Sequence, residues 1–213
     1  MGNTSIRIAM AVPPPASHTL AVMHHSTMGA VERDTTYVVY NVGLCGFLAT
    51  NVSGGRQTWT IVQYENVGRL ADVHVDVLQC PWHPDRVYLV FGENQFLDTH
   101  GTWYRPNVWT GWRDNPPLGR QDIIDANNTQ GAQNLWWVIE ESMESIPGGP
   151  TFSIENVRHK VYLGAENGEE VWAYKKTAGE HPPLNQQWIF VPADNLDALV
   201  QELDAAVGDD APL

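Results

Sequence analysis

Basic side chains are scarce in this chain: Lys and Arg number 12 against 25 Asp and Glu, a formal net charge of -13. A surface so negative repels phosphate backbones and anionic lipid headgroups, which argues against a nucleic-acid partner or a membrane-surface role. Cysteine is scarcer still. Cys45 and Cys80 are too few for a disulfide framework and lack the paired spacing of a structural zinc site. Two reduced thiols are expected, with a single bridge as the alternative. Long apolar runs are missing as well. The stretch from Ile6 to Val12 stops at Pro13-Pro14-Pro15, far short of a membrane span. The amino terminus has no charged start, long apolar core and cleavage pattern of a secretory leader, so a soluble, cytoplasmic protein is expected. Catalytic signatures are absent too: there is no Ser-His-Asp order, HExxH, phosphate-cradling glycine loop or Cys-His constellation. The adjacent His24-His25 would point to opposite faces of a strand and chelate poorly. The expectation is a non-enzymatic protein with neither metal nor cofactor.

Tryptophan, by contrast, is abundant, with 9 residues, and it recurs in a pattern. Alternating apolar runs rich in aromatic and β-branched residues dominate from about residue 35 to residue 191, which predicts strands. Three of these runs look alike: Tyr37–Val42, Val87–Gly92 and Phe152–Val157. Each is followed by an aromatic-Leu triplet, Phe47-Leu48-Ala49, Phe96-Leu97-Asp98 and Tyr162-Leu163-Gly164. A strand carrying Trp59, Trp109 or Trp172 comes next, and a fourth run closes each unit at Asp72–Leu78, Trp136–Glu140 and Trp188–Pro192. The starting aromatics at 37, 88 and 152 lie 51 and 64 residues apart, and the tryptophans lie 50 and 63 apart. Units this small cannot bury an apolar face alone, so three must share one core. Twelve short strands in three echoes predict an all-β closed fold, the β-trefoil, in preference to a sandwich, which predicts no such echo.

The third unit closes with Asn185-Gln186-Gln187-Trp188, the second with Gln133-Asn134-Leu135-Trp136-Trp137, and Gln57-Thr58-Trp59 is related. Over roughly residues 36–193 the chain resembles the ricin-B-like (Gln-x-Trp) β-trefoil family, in particular its small mushroom lectins. In the motif the Trp fills the barrel bottom and the Gln amide serves backbone groups, so the motif is chiefly a folding device. The resemblance implies a carbohydrate-binding, fungal-type lectin whose partners are glycans or glycoproteins. It also implies where they bind: an acid after the second strand, an aromatic on the third and an Asn-Gln pair before the fourth. Carried over residue by residue, unit two offers Asp98, the Gln133-Asn134 pair in swapped order, and an aromatic near Trp109–Trp112, with Gly111 at the aligned spot. His100, Trp103 and Tyr104 crowd the same loop. Unit three offers Tyr174, Asn185 and Gln186, but Gly164 replaces the acid; unit one has Ala49 there and reads as silent. The alternative for Asp98 is a purely local role, tying its own hairpin.

A second function is open at this stage. Related mushroom trefoil proteins inhibit proteases through protruding loops, and residues 112–133 read as a long surface loop containing Pro116, Pro117 and Arg120. Prolines stiffen such a loop, and the arginine suits a trypsin-like pocket. Residues 1–35 read as an N-terminal extension, and 194–213 as a helix and tail. There Leu196, Leu199, Val200 and Leu203 form one stripe, which offers either a homodimer contact or a face packed on the barrel.

Overall fold

Every echo in the sequence is a strand. The computed structural model describes residues 31–53, 56–63, 73–92, 94–99, 107–110, 119–126, 130–142, 150–166, 170–175 and 181–195. Unit one supplies β1 (Thr35–Asn41), β2 (Gly46–Ser53), β3 (Arg56–Gln63) and β4 (His74–Gln79). Unit two supplies β5 (Val87–Phe91), β6 (Gln95–Asp98), β7 (Asn107–Thr110) and β8 (Trp137–Glu141). Unit three supplies β9 (Phe152–Asn156), β10 (Val161–Glu166), β11 (Glu170–Lys175) and β12 (Trp188–Pro192). The described body is all-β with few helical turns, and β1 begins at Thr35 where residue 36 was expected.

The antiparallel pairings return on themselves. β1 pairs with β4 and β12, β5 with β4 and β8, and β9 with β8 and β12, so six strands make a closed, barrel-like ring. The second and third strands of each unit form hairpins leaning on this ring. β3 also pairs with both β7 and β11. Closure leaves the ring no free edge to template association. Its interior draws on all three units: Leu48, Leu97 and Leu163 stand at matching places, fully buried, with Tyr37, Val87, Phe152, Trp137 and Trp188 around them.

The register corrects one landmark. Opposite Leu48, Leu97 and Leu163 stand Ile61, Val108 and Ala173. Counted from those pairs, Trp59 lies two residues before Ile61, Trp172 one before Ala173 and Trp109 one after Val108. The three tryptophans therefore occupy three different places, and their regular spacing is a coincidence laid over a genuine repeat. Trp109 matches Tyr174 instead, each pairing with the aromatic before the conserved-looking Leu, Phe96 or Tyr162. The motif indoles are Trp137 and Trp188, whose Nε1 atoms donate to the Leu97 and Leu163 carbonyls at 3.1 and 3.0 Å. In unit one Val75 holds that register, pairing with Tyr37 and Phe91. Trp59 takes up part of the missing bulk by packing edge-on against Phe91 at 4.4 Å.

Segment 112–133 is also more than a loop. It includes a helix, α1 (Arg120–Ala126), and a 3-10 turn, Gln130–Leu135. Ile123 and Ile124 pack with Tyr88, Val90, Phe96 and Trp136, which is why β5 is buried along its whole length. The Leu196–Leu203 stripe, His24-His25 and the run before Pro13 lie outside the described residues.

Two buried tyrosines set an alkaline limit. Burial raises Tyr40 and Tyr88 well above the usual phenol value of 10.0; Cys45 adds to the first, and the Trp136 indole N–H partly offsets the second. The unfolded chain loses these protons first, so their stabilising contribution is whole below about pH 10 and declines as pH rises beyond it. Urea midpoints should accordingly be flat from pH 8 to 9.5 and fall toward pH 11.

Candidate functional site

The carbonyl-accepting asparagines come first because they place everything else. Asn41 and Asn156, both fully buried, end β1 and β9. Asn41 Oδ1 accepts from the Leu44 N–H at 3.0 Å, and Asn156 Oδ1 accepts from the Arg158 and His159 N–H groups at 3.2 and 3.1 Å. Each turn then passes through a left-handed residue, Cys45 at φ 54° and Lys160 at φ 53°. The amide side of each asparagine reaches into the neighbouring unit. Asn41 Nδ2 donates to the Asn185 carbonyl at 3.0 Å, and Asn156 Nδ2 to the Asn134 carbonyl at 2.9 Å. A turn from one unit is thus pinned beside the segment before the fourth strand of another.

In unit two, Asp98 ends β6 with only 2% of its surface exposed and accepts from Asn134 Nδ2. Thr99 donates through its N–H and hydroxyl to the Asn134 carbonyl at 3.4 and 3.3 Å. Asp98 and Asn134 are therefore brought together as expected, but as a buried pair that ties β6 to the 3-10 turn. The swapped amide pair is corrected. Trp136 N–H bonds to Gln133 O just as Gln187 N–H bonds to Leu184 O, so Asn134 matches Asn185, Leu135 matches Gln186, and Gln133 falls one place too early. The aromatic position moves from Gly111 and Trp112 to Trp109, of which only the backbone is described. His100, Trp103, Tyr104, Trp112, Pro116 and Pro117 lie outside the described residues.

Unit three gathers its residues around an open cavity of about 610 Å³, lined by Gly43, Leu44, Ala165, Glu166, Leu184 and Asn185. Asn185 Nδ2 donates to the Ala165 carbonyl at 3.0 Å. The missing acid has a steric reason: a Cβ on Gly164 would lie 2.7 Å from the Tyr174 ring and 2.8 Å from Gln186 Cγ. Gly43 is required likewise, because a Cβ there would come within 2.6 Å of the Asn185 backbone. The Tyr174 hydroxyl is buried without a hydrogen bond of full geometry. Burial raises its pKa above the usual phenol value, the nearby Glu166 carboxylate raises it further, and Asn185 pulls the other way. Gln186 is buried behind the cavity, and the working amide beside the motif Trp is that of Gln187, which accepts from Thr151 Oγ1 at 2.9 Å and donates to Pro182 O at 2.7 Å. The exposed carboxylate at the rim is Glu166, two residues past the place where the family pattern puts its acid. That displacement is why motif matching passed over it.

Arg120 is not offered to solvent as an inhibitory side chain. It pairs with Asp76 Oδ2 at 2.8 Å and also donates to the Gly92 carbonyl, while Asp76 accepts from Thr36 Oγ1 at 2.6 Å. Among the described residues no three His, Cys, Asp or Glu side chains group as a metal site.

No family model and no curated protein matches the chain. Solved structures do. Cry35Ab1 is 11% identical with a TM-score of 0.53, covering 76% of this chain, which spans only 37% of that one. A salivary protein of the Cysteine and Tryptophan-Rich family from Culex quiquefasciatus is 14% identical with a TM-score of 0.52, the match covering 78% of this chain and 99% of that one. The SDF2-like protein from Arabidopsis thaliana is 10% identical, also at 0.52, covering 76% and 95%. Likeness at these identities shows the fold alone.

Proposed function

We propose that the chain is a β-trefoil lectin of the ricin-B-like kind, binding glycans without catalysis, cofactor or metal, in the cytoplasm. The six-strand ring with its three hairpins supports the trefoil reading. The binding reading rests on the unit-three cavity. There an exposed carboxylate, a planar amide and a tyrosine converge on an opening wide enough for a sugar ring. Saccharide recognition needs planar groups for the hydroxyls and an apolar surface for the ring, because an unpaired hydroxyl in a site costs more than a lost methylene. Leu44 and Leu184 supply the apolar surface, Leu184 with 51% of its area exposed. The protease-inhibitor reading is weakened by the tethering of Arg120.

A glycan array followed by calorimetric titration tests the proposal. Glu166→Ala should weaken binding of the best glycan by about 10- to 100-fold, the effect of losing one charged hydrogen bond. The substitution lies on an exposed position, so stability should stay within about 0.5 kcal/mol of the parent. Equal affinity in parent and variant would reject the cavity as the site.

A further inference from the structure

The turns that border the two candidate sites match in geometry and differ in charge. The unit-three cavity is closed on one side by Gly43 and Leu44, from the turn that Asn41 organises. At the corresponding side of unit two stands the turn that Asn156 organises, and there the residues are Arg158 and His159. A single side-chain amide separates them from the unit-two site: Asn156 accepts from both their N–H groups and donates to the Asn134 carbonyl. Asn134 in turn holds Asp98 and Thr99. Arg158 is exposed on this turn.

The remaining charges sharpen the contrast. Unit three has the Glu166 carboxylate at its rim, whereas the sequence has His100, not an acid, two residues past Asp98. Asp98 itself is 2% exposed and bonded to Asn134, so it forms the floor of the site. Lys160, next in the turn, pairs with Glu155 at 3.1 Å, and Lys175 stands opposite Val161 at the start of β10. In a chain with 12 basic residues and a net charge of -13, Arg158, Lys160 and Lys175 form a local concentration of positive charge. A guanidinium offers a planar fork that fits carboxylate or sulfate oxygens in two-point contact, which a neutral hydroxyl does not reward.

We infer that the unit-two site takes an anionic glycan, a sugar carrying a carboxylate or a sulfate, with Arg158 as its specificity-determining residue. This inference rests on the lectin reading and adds to it a division of labour: unit three for neutral sugars, unit two for charged ones. The test uses the full chain on an array of matched neutral, sialylated and sulfated glycans. Titration with lactose, 3′-sialyllactose and 3′-sulfated lactose follows, with inorganic sulfate as the control ion. The charged sugars should bind about tenfold more tightly than lactose. Arg158→Gln should erase that difference and leave lactose unchanged, and Arg158→Lys should retain part of it. If neutral sugars bind and charged ones bind no better, or if their advantage survives Arg158→Gln, the inference is overturned and the lectin reading stands. Inorganic sulfate binding as tightly as the sulfated sugar also overturns it, leaving an adventitious ion only. Silence from every glycan overturns both.

Discussion

Trp188→Ala should destabilise the protein by about 4 kcal/mol, lowering Tm by roughly 10 °C, in equilibrium urea unfolding and in thermal melts. The indole is wholly buried in the shared core, so its removal leaves a void bordered by residues of different units. It also leaves the Leu163 carbonyl without the donor now 3.0 Å away. Trp188→Phe separates the two contributions. It retains most of the volume and loses the hydrogen bond, and should cost about 1–3 kcal/mol. The same pair of substitutions at Trp137, which serves Leu97, should behave alike. At Val75, which holds the same register in unit one, Val75→Ala should cost far less, because a valine leaves a much smaller cavity. If Trp188→Ala melted within a degree or two of the parent, the indole would not be a pillar of the ring.

Asn156→Ala is expected to rank second, at about 3 kcal/mol. One buried amide serves four backbone partners: Nδ2 donates to the Asn134 and Trp136 carbonyls at 2.9 and 3.3 Å, and Oδ1 accepts from Arg158 and His159. Truncation strands these groups, and a stranded buried polar group costs more than an average hydrogen bond contributes. Asn156→Asp discriminates between mechanisms. It keeps the acceptor side and brings a carboxylate against the two carbonyls, so it should be nearly as damaging as alanine near neutral pH and partly relieved in acid, where the carboxyl is protonated and can donate. An Asp variant as stable as the parent at pH 7 would contradict the donor role given to Nδ2.

Strand order was legible because period-two alternation survives in every unit, and the echo at Tyr37, Val87 and Phe152 falls on strand starts that pair as equivalents. The finer register was not. Trp59, Trp109 and Trp172 mimic a landmark, and only hydrogen-bonded partners reveal that they fill different places. The swapped amide pair failed for a related reason: Trp136 and Trp137 are adjacent, and counting from the wrong indole shifts Asn134 by one. The two organising asparagines were visible in retrospect, since Tyr37–Val42 and Phe152–Val157 both end in Asn-Val. A polar residue closing an apolar strand looks like an ordinary turn signal until its burial is known. The cavity was illegible because it joins Gly43 and Leu44 to residues more than a hundred positions away, and no local pattern announces such a meeting.

Asn41 reaches its acceptor across a sequence separation of 144 residues, and β1 lies alongside β12 through five paired positions from Tyr37–Pro192 to Asn41–Trp188. A nascent chain emerging from the ribosome therefore cannot complete its first unit until nearly everything else has been synthesised. Until then β1 lacks one of its two neighbours in the ring, and folding must wait on a long loop closure, the regime of slow maturation and exposure to aggregation.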